Sequence, residues 1–137
     1  MNDTLKLQKL AYKISARMVR ATSVTMDRDI MQSLAEIGEF FQADRVGLVS
    51  ANTESPFAKV LFVWYVEGVS QVPVKTNIAE LCPWAYEVMV RQGQVHSIRS
   101  LSDYPPQGQV DRAFHESIGT KTILSVPLTI GGEVHHI

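Results

Sequence analysis

Near the N-terminus, apolar residues recur at Leu7, Leu10, Ala11, Ile14, Met18 and Ala21. Spacings of three and four residues keep these side chains on one face of an α-helix. Asp3 or Thr4 is placed to cap it, and Lys6, Lys9, Lys13, Arg17 and Arg20 fall on the other faces. Such an amphipathic helix needs something to pack on. The polar, β-branched stretch ATSVTMDRD reads as a connector. Helical spacing then resumes with Ile30, Leu34, Ile37 and Phe41, behind Asp27 or Asp29 as the cap. Gly38 lies inside this second helix, where glycine costs about 1 kcal/mol relative to alanine. A close packing partner is therefore expected at Gly38.

Beyond Phe41 the period becomes strand-like. DRVGLVS reads as one strand and AKVLFVWYV, Ala58 to Val66, as a second, with ANTESP turning between them. Val60, Phe62, Trp64 and Val66 share one face of the second strand, and Leu61, Val63 and Tyr65 share the other. Apolar residues on both faces predict a sheet covered on both sides. EGVSQVP reads as a turn. PWAYEVMVRQG reads as a helix with Pro83 in its first turn and Gly93 at its stop. QVHSI is a short strand, SDYPPQGQ a rigid, solvent-facing loop, and Val110 to Ile118 a short helix ending near Gly119. TKTILSVPLTI reads as one long strand. Gly131-Gly132 supplies a two-residue hairpin turn into a returning strand from Glu133. Hairpins at both ends of the strand set predict an α+β fold with a mainly antiparallel sheet, not a doubly wound parallel one.

Composition narrows the function classes. The 137 residues suit a single domain. They are 45% hydrophobic with a net charge of -1 and no dense Lys/Arg cluster, which leaves no electrostatic case for nucleic acid or an anionic membrane. No apolar run approaches the ~20 residues that span a bilayer. The N-terminus lacks the apolar segment of a signal peptide. A cytoplasmic location is expected. The lone Cys82 excludes an internal disulfide and a Cys-based zinc site.

Candidate chemistry is sparse. His135 and His136 are neighbours on a strand, so they point to opposite faces. His96 and His115 belong to separate elements. No metal site and no cofactor is expected. There is no Gly-x-Ser-x-Gly elbow, Walker loop or G-x-G-x-x-G. Cys82 stands at a helix start, which can lower a thiol pKa; the alternative is a small buried residue. Glu36, Glu39, Asp103 and Asp111 are scattered, with no pair at the separations glycosidases use. No catalytic residue is assigned, and the domain is not expected to be an enzyme. Trp64 on a strand and Trp84 on the next helix, with Tyr86 nearby, can line an apolar pocket or simply fill the core.

The segments LAEIGEFFQADRVGLV, FVWYVEGVSQV, CPWAYEVMVRQGQVHSI, LSDYPP and IGTKTILSVPLTIGGEV together resemble a GAF domain over about residues 5 to 134. The resemblance is to GAF domains upstream of PAS, diguanylate cyclase, EAL or histidine kinase modules in bacterial signalling proteins. It rests on Gly38, Asp44-Arg45, Trp64 with Gly68, Pro83-Trp84, Gly93, Gly119 and Val126-Pro127-Leu128. It implies one GAF-like domain over residues 1–137, with residues 1–26 as a signalling or dimerisation helix and connector. It also implies N-terminal helices on one face of the sheet and helices and loops forming a pocket on the other. The implied pocket wall is Trp64, Trp84 and Tyr86, with Arg112 and His115 as polar contacts. The implied partners are an unidentified small molecule, a second copy of the chain through the N-terminal helix, and a downstream effector domain. A ligand-free dimerisation or interaction module is the alternative, and an enzyme similar to methionine sulfoxide reductases of GAF fold is a third reading.

Three departures matter. The Asn-Lys-x-Asp signature of cyclic-nucleotide-binding members is absent. Where phytochrome-like members carry a bilin-attaching Cys-His, this chain has Val110-Asp111, and Cys82 lacks a following histidine. Methionine sulfoxide reductases of GAF fold use several cysteines. The family pattern continues through a full last strand and a C-terminal helix, so Ile137 is expected to be a boundary within a longer chain.

Overall fold

The computed structural model describes residues 2–71 and 73–137. Helix α1 spans Asp3–Arg20 and α2 spans Met26–Phe41. Asn2, not Asp3 or Thr4, caps α1: its side chain accepts Leu5 N–H at 2.8 Å. Asp3 sits instead in the first turn, where its charge suits the positive end of the helix dipole. Likewise α2 starts behind Thr25, and Asp27 and Asp29 both fall in its first turn. The two helices are joined by Arg17, which donates to both Glu36 oxygens at 3.0 and 2.7 Å and to Ser33 Oγ at 3.1 Å. The bond to Arg17 holds the Glu36 carboxyl below its ordinary range. No residue of α1 is buried. An apolar cleft of about 350 Å³ is lined by Leu7, Leu10, Ala11 and Ile14 of α1 with Ile37 and Phe41 of α2.

The partner expected at Gly38 is Trp64. A Cβ at Gly38 would overlap the indole at Cζ3 and lie 2.5 Å from Cε3. Only glycine lets the ring reach the helix backbone. These contacts lie within one compact unit, formed by the described residues of Met1–Gly47 and Phe62–Gln71. A second unit is formed by those of Leu48–Leu61 and Val72–Ile137.

The strands are β1 Arg45–Ser50, β2 Phe57–Tyr65, β3 Lys75–Asn77, β4 His96–Ile98, β5 Ile123–Ser125, β6 Leu128–Ile130 and β7 Glu133–His136. One sheet has the order β3-β2-β1-β7-β6 and a second pairs β4 with β5. Every pairing whose register is resolved, β1–β7, β2–β3, β4–β5 and β6–β7, is antiparallel. The α+β class with an antiparallel sheet is therefore observed. The hairpin reading holds as well: Gly131 and Gly132 have φ of 61° and 85°, and Ile130 pairs with Glu133.

The expected long strand from Thr120 to Ile130 is instead two short ones. Pro127 has no N–H to give a ladder, and the chain changes partner around it. Ile123 pairs with Ile98 on one side of the break, and Ile130 with Glu133 on the other. Strand β3 is three polar residues, Lys75, Thr76 and Asn77, too short to show a period. The turn expected at EGVSQVP includes Val72, which lies outside the described residues; Gly68 within it has φ of 87°.

The second unit also holds α3 Ile78–Leu81, α4 Pro83–Ala85 and α5 Gln109–Ser117. The helix expected from Pro83 to Gly93 starts at Pro83 but widens into a π-helical turn over Tyr86–Arg91. That turn buries Tyr86, Met89 and Val90 together. SDYPPQGQ is not a solvent-facing loop. It folds into two 3₁₀ turns, Leu101–Asp103 and Pro106–Gly108, which bury Tyr104 to 5% exposure between them. Its polar, proline-rich composition obscured the one large ring that could be buried.

Candidate functional site

Helix α4 opens on an unmet need. Its N-cap is Cys82, whose side chain accepts nothing from the helix, so the first N–H groups need an acceptor from elsewhere. Asp111, on α5, supplies it. One carboxylate oxygen accepts Trp84 N–H at 3.1 Å and the other Ala85 N–H at 2.8 Å. Asp111 is 0% exposed. A buried carboxylate is tolerated where backbone donors satisfy it. It fastens α5 to the start of α4 and fixes Trp84.

Trp84 is the hub of an aromatic cluster. Its ring meets His96 edge-on at 5.2 Å and Tyr104 at 5.6 Å between centroids. Tyr104 in turn lies nearly parallel to His115, at 6.3 Å and 16°. The His115 Nε2 is 3.9 Å from Cys82 Sγ. Among the described residues, neither ring nitrogen of His96 has a hydrogen-bond partner, nor does the Tyr104 hydroxyl, although His96 is only 2% exposed. Buried polar groups are ordinarily satisfied, and leaving one unmet costs about 1–3 kcal/mol. Two residues with open hydrogen-bonding positions side by side mark a place where an outside partner gains most.

Electrostatics set the protonation states. Burial pushes the His96 imidazole below its ordinary value of 6.5, and the Asp111 charge opposes this in part. Burial, then Asp111, pushes the Tyr104 phenol above its ordinary range. The same two causes push the Cys82 thiol up to about 12. The helix-start position therefore does not make Cys82 a thiolate: desolvation and a neighbouring carboxylate both work against it. These shifts leave the His96 imidazole, the Tyr104 phenol and the Cys82 thiol in their neutral forms at neutral pH. Among the described residues, no group of three His, Cys, Asp or Glu side chains is placed to hold a metal ion.

No protein-family model matches the chain, and no curated protein is similar to it in sequence. Solved structures are similar in fold. The phycocyanobilin-bound GAF domain from a cyanobacterial phytochrome superimposes with a TM-score of 0.74 at 18% identity, over 99% of this chain and 77% of that one. The fold is that of a GAF domain. Free methionine-R-sulfoxide reductase from Neisseria meningitidis, solved with its substrate, gives 0.70 at 13% identity, over 99% of this chain and 72% of that one. A methyl-accepting chemotaxis protein, residues 122 to 287, gives 0.63 at 15% identity, over 93% and 78%.

Within this GAF fold the residues singled out from the sequence separate. Trp84 and His115 both border Tyr104. Tyr86 faces Ala51, Ala58 and Val90 in the core, and its hydroxyl donates to the Asn52 carbonyl at 3.4 Å. Arg112 is paired with Glu116 at 3.0 Å, one turn along α5. Trp64 belongs to the first unit, over Gly38. Sequence reasoning missed His96, Tyr104 and Asp111. One signal was available: a helix opening Cys-Pro-Trp has no side chain of its own to cap it, so a carboxylate from elsewhere was needed. Among the described residues no helix is long and apolar enough to cross a membrane.

Proposed function

We propose that the chain is a sensory GAF domain that binds a small molecule and relays its presence to an effector module of a larger, cytoplasmic bacterial signalling protein. The observation that carries this reading is the pair of buried residues with open hydrogen-bonding positions, His96 and Tyr104, beside Trp84. The GAF domain of a cyanobacterial phytochrome was solved with phycocyanobilin bound, and the similar reductase with its substrate, which supports a ligand role for this fold. The site comprises Trp84, His96, Tyr104 and His115, all of the second unit. A ligand acts by binding one conformation better than another. Asp111 joins α5 to α4 across this site, so it offers a route by which occupancy alters helix packing.

The domain is not read as an enzyme. A reductase of this fold would need a reactive thiol, and Cys82 is buried with its pKa raised to about 12. Native mass spectrometry of the freshly purified protein tests the reading. A retained small molecule that is lost in Trp84→Ala is expected. A bare chain, together with unchanged stability in Trp84→Ala, would overturn it.

A second reading, a homodimerisation module working through α1, is favoured by one observation. Helix α1 buries no residue and leaves Leu5, Leu7, Tyr12 and Val19 exposed. The two readings are compatible, and the same spectra report a dimer.

A further inference from the structure

The open positions of the buried cluster define the chemistry of what fits them. A neutral imidazole has one N–H donor and one bare nitrogen acceptor, and both are unused at His96. The Tyr104 hydroxyl can donate or accept, and it too is unused. The rings of His96 and Tyr104 lie 6.2 Å apart, each beside the indole of Trp84. A partner must therefore offer a donor and an acceptor close together and tolerate flat aromatic walls.

Charge decides the rest. The acidic side chain of the cluster, Asp111, is fully buried. Its two oxygens are already taken by Trp84 and Ala85 N–H. An anion entering beside it meets that carboxylate, and no Lys or Arg side chain is buried among the described residues. The Lys and Arg side chains of this unit lie outside: Arg91 pairs with Glu87, Arg112 pairs with Glu116, and Lys59, Lys75, Arg99 and Lys121 are exposed. A cation fares little better, because the only carboxylate is sealed and spent on backbone donors, leaving no free counter-charge against desolvation. An uncharged group avoids both costs.

We propose that the His96–Tyr104–Trp84 site takes an uncharged, planar molecule carrying adjacent hydrogen-bond donor and acceptor groups, of the carboxamide or lactam class, and discriminates against small anions and ammonium ions. This rests on the ligand-binding reading above and sharpens it. The carbonyl takes the Tyr104 O–H, and the amide N–H reaches the bare imidazole nitrogen of His96. The amide plane lies along the Trp84 face.

The test uses the whole chain labelled with ¹⁵N-histidine, with the His96 ring signals assigned by their loss in His96→Gln. Acetamide and N-methylacetamide are titrated at neutral pH against acetate, nitrate and methylammonium. The amides should shift the His96 nitrogens saturably, at least tenfold more tightly than any of the ions, and Tyr104→Phe should weaken the amides severalfold. If an ion perturbs His96 as tightly as the amides, the ligand class is wrong while the site stands. If no probe moves His96 and Tyr104→Phe raises the melting temperature without altering any response, the site itself is wrong, and the proposed function falls with it. Should His96→Gln not fold, the titration is read from Tyr104→Phe and from the Trp84 fluorescence of Trp64→Phe.

Discussion

Asp111→Asn probes how the cluster is held. The native carboxylate is 0% exposed and accepts Trp84 and Ala85 N–H at 3.1 and 2.8 Å. Asparagine keeps the shape and one oxygen, but its NH₂ then faces the second backbone N–H. A hydrogen bond to a charged group contributes about 1.5–3 kcal/mol, and a buried donor left unpaired costs about 1–3 kcal/mol. Relief of the buried charge returns part of this. The expected net loss is about 2–3 kcal/mol for Asp111→Asn and about 3–5 kcal/mol for Asp111→Ala, where both donors are orphaned. Urea unfolding followed by circular dichroism measures it, with the midpoint falling and the slope unchanged. The charge leaves a second trace. Asp111 helps to raise the Cys82 thiol and holds His96 up against burial. The asparagine variant should therefore lower the pKa of both groups, by thiol alkylation rate for Cys82 and by NMR titration for His96. A variant within 0.5 kcal/mol of wild type, with both pKa values unmoved, would refute the reasoning.

At Gly38, alanine should destabilise the protein although helix propensity alone would gain about 1 kcal/mol. The added methyl would lie 2.5 Å from Trp64 Cε3, and overpacking of this kind costs about 1–3 kcal/mol or more. Thermal melts of Gly38→Ala and of Gly38→Ala with Trp64→Leu check this; the second change should recover much of the loss, and a stabilised single variant would contradict the packing. His96 makes stability depend on pH. Its folded pKa is below the unfolded value of 6.5, so above about pH 6.5 it is neutral in both states. As pH falls below that, the unfolded chain takes up a proton that the folded one refuses. Stability then drops by up to about 1.4 kcal/mol per pH unit, levelling below the folded pKa. The difference between wild type and His96→Gln should change between pH 7 and 5, and a flat difference would show that His96 titrates normally.

The sequence by itself determined what depends on near neighbours. The spacing of Leu7, Leu10, Ala11 and Ile14, and of Ile30, Leu34, Ile37 and Phe41, is a three- or four-residue affair, and both helices are where it puts them. Gly131-Gly132 needs only its own φ freedom to make a hairpin. A glycine in mid-helix pointed to a close packing contact there. Tertiary structure alone decided the rest. The break at Pro127 was visible as a residue, but the exchange of partners across it depends on where β4 and β7 lie. Tyr104 looked solvent-facing because its neighbours are polar, yet its ring is buried against Trp84, twenty residues earlier in the chain. Asp111 looked like one carboxylate among several. Its significance lies in two backbone N–H groups 26 and 27 residues away, and no local pattern encodes that encounter. Helices and turns are paid for locally and are legible locally, whereas a site built from unmet hydrogen-bonding capacity exists only once distant segments have removed the water.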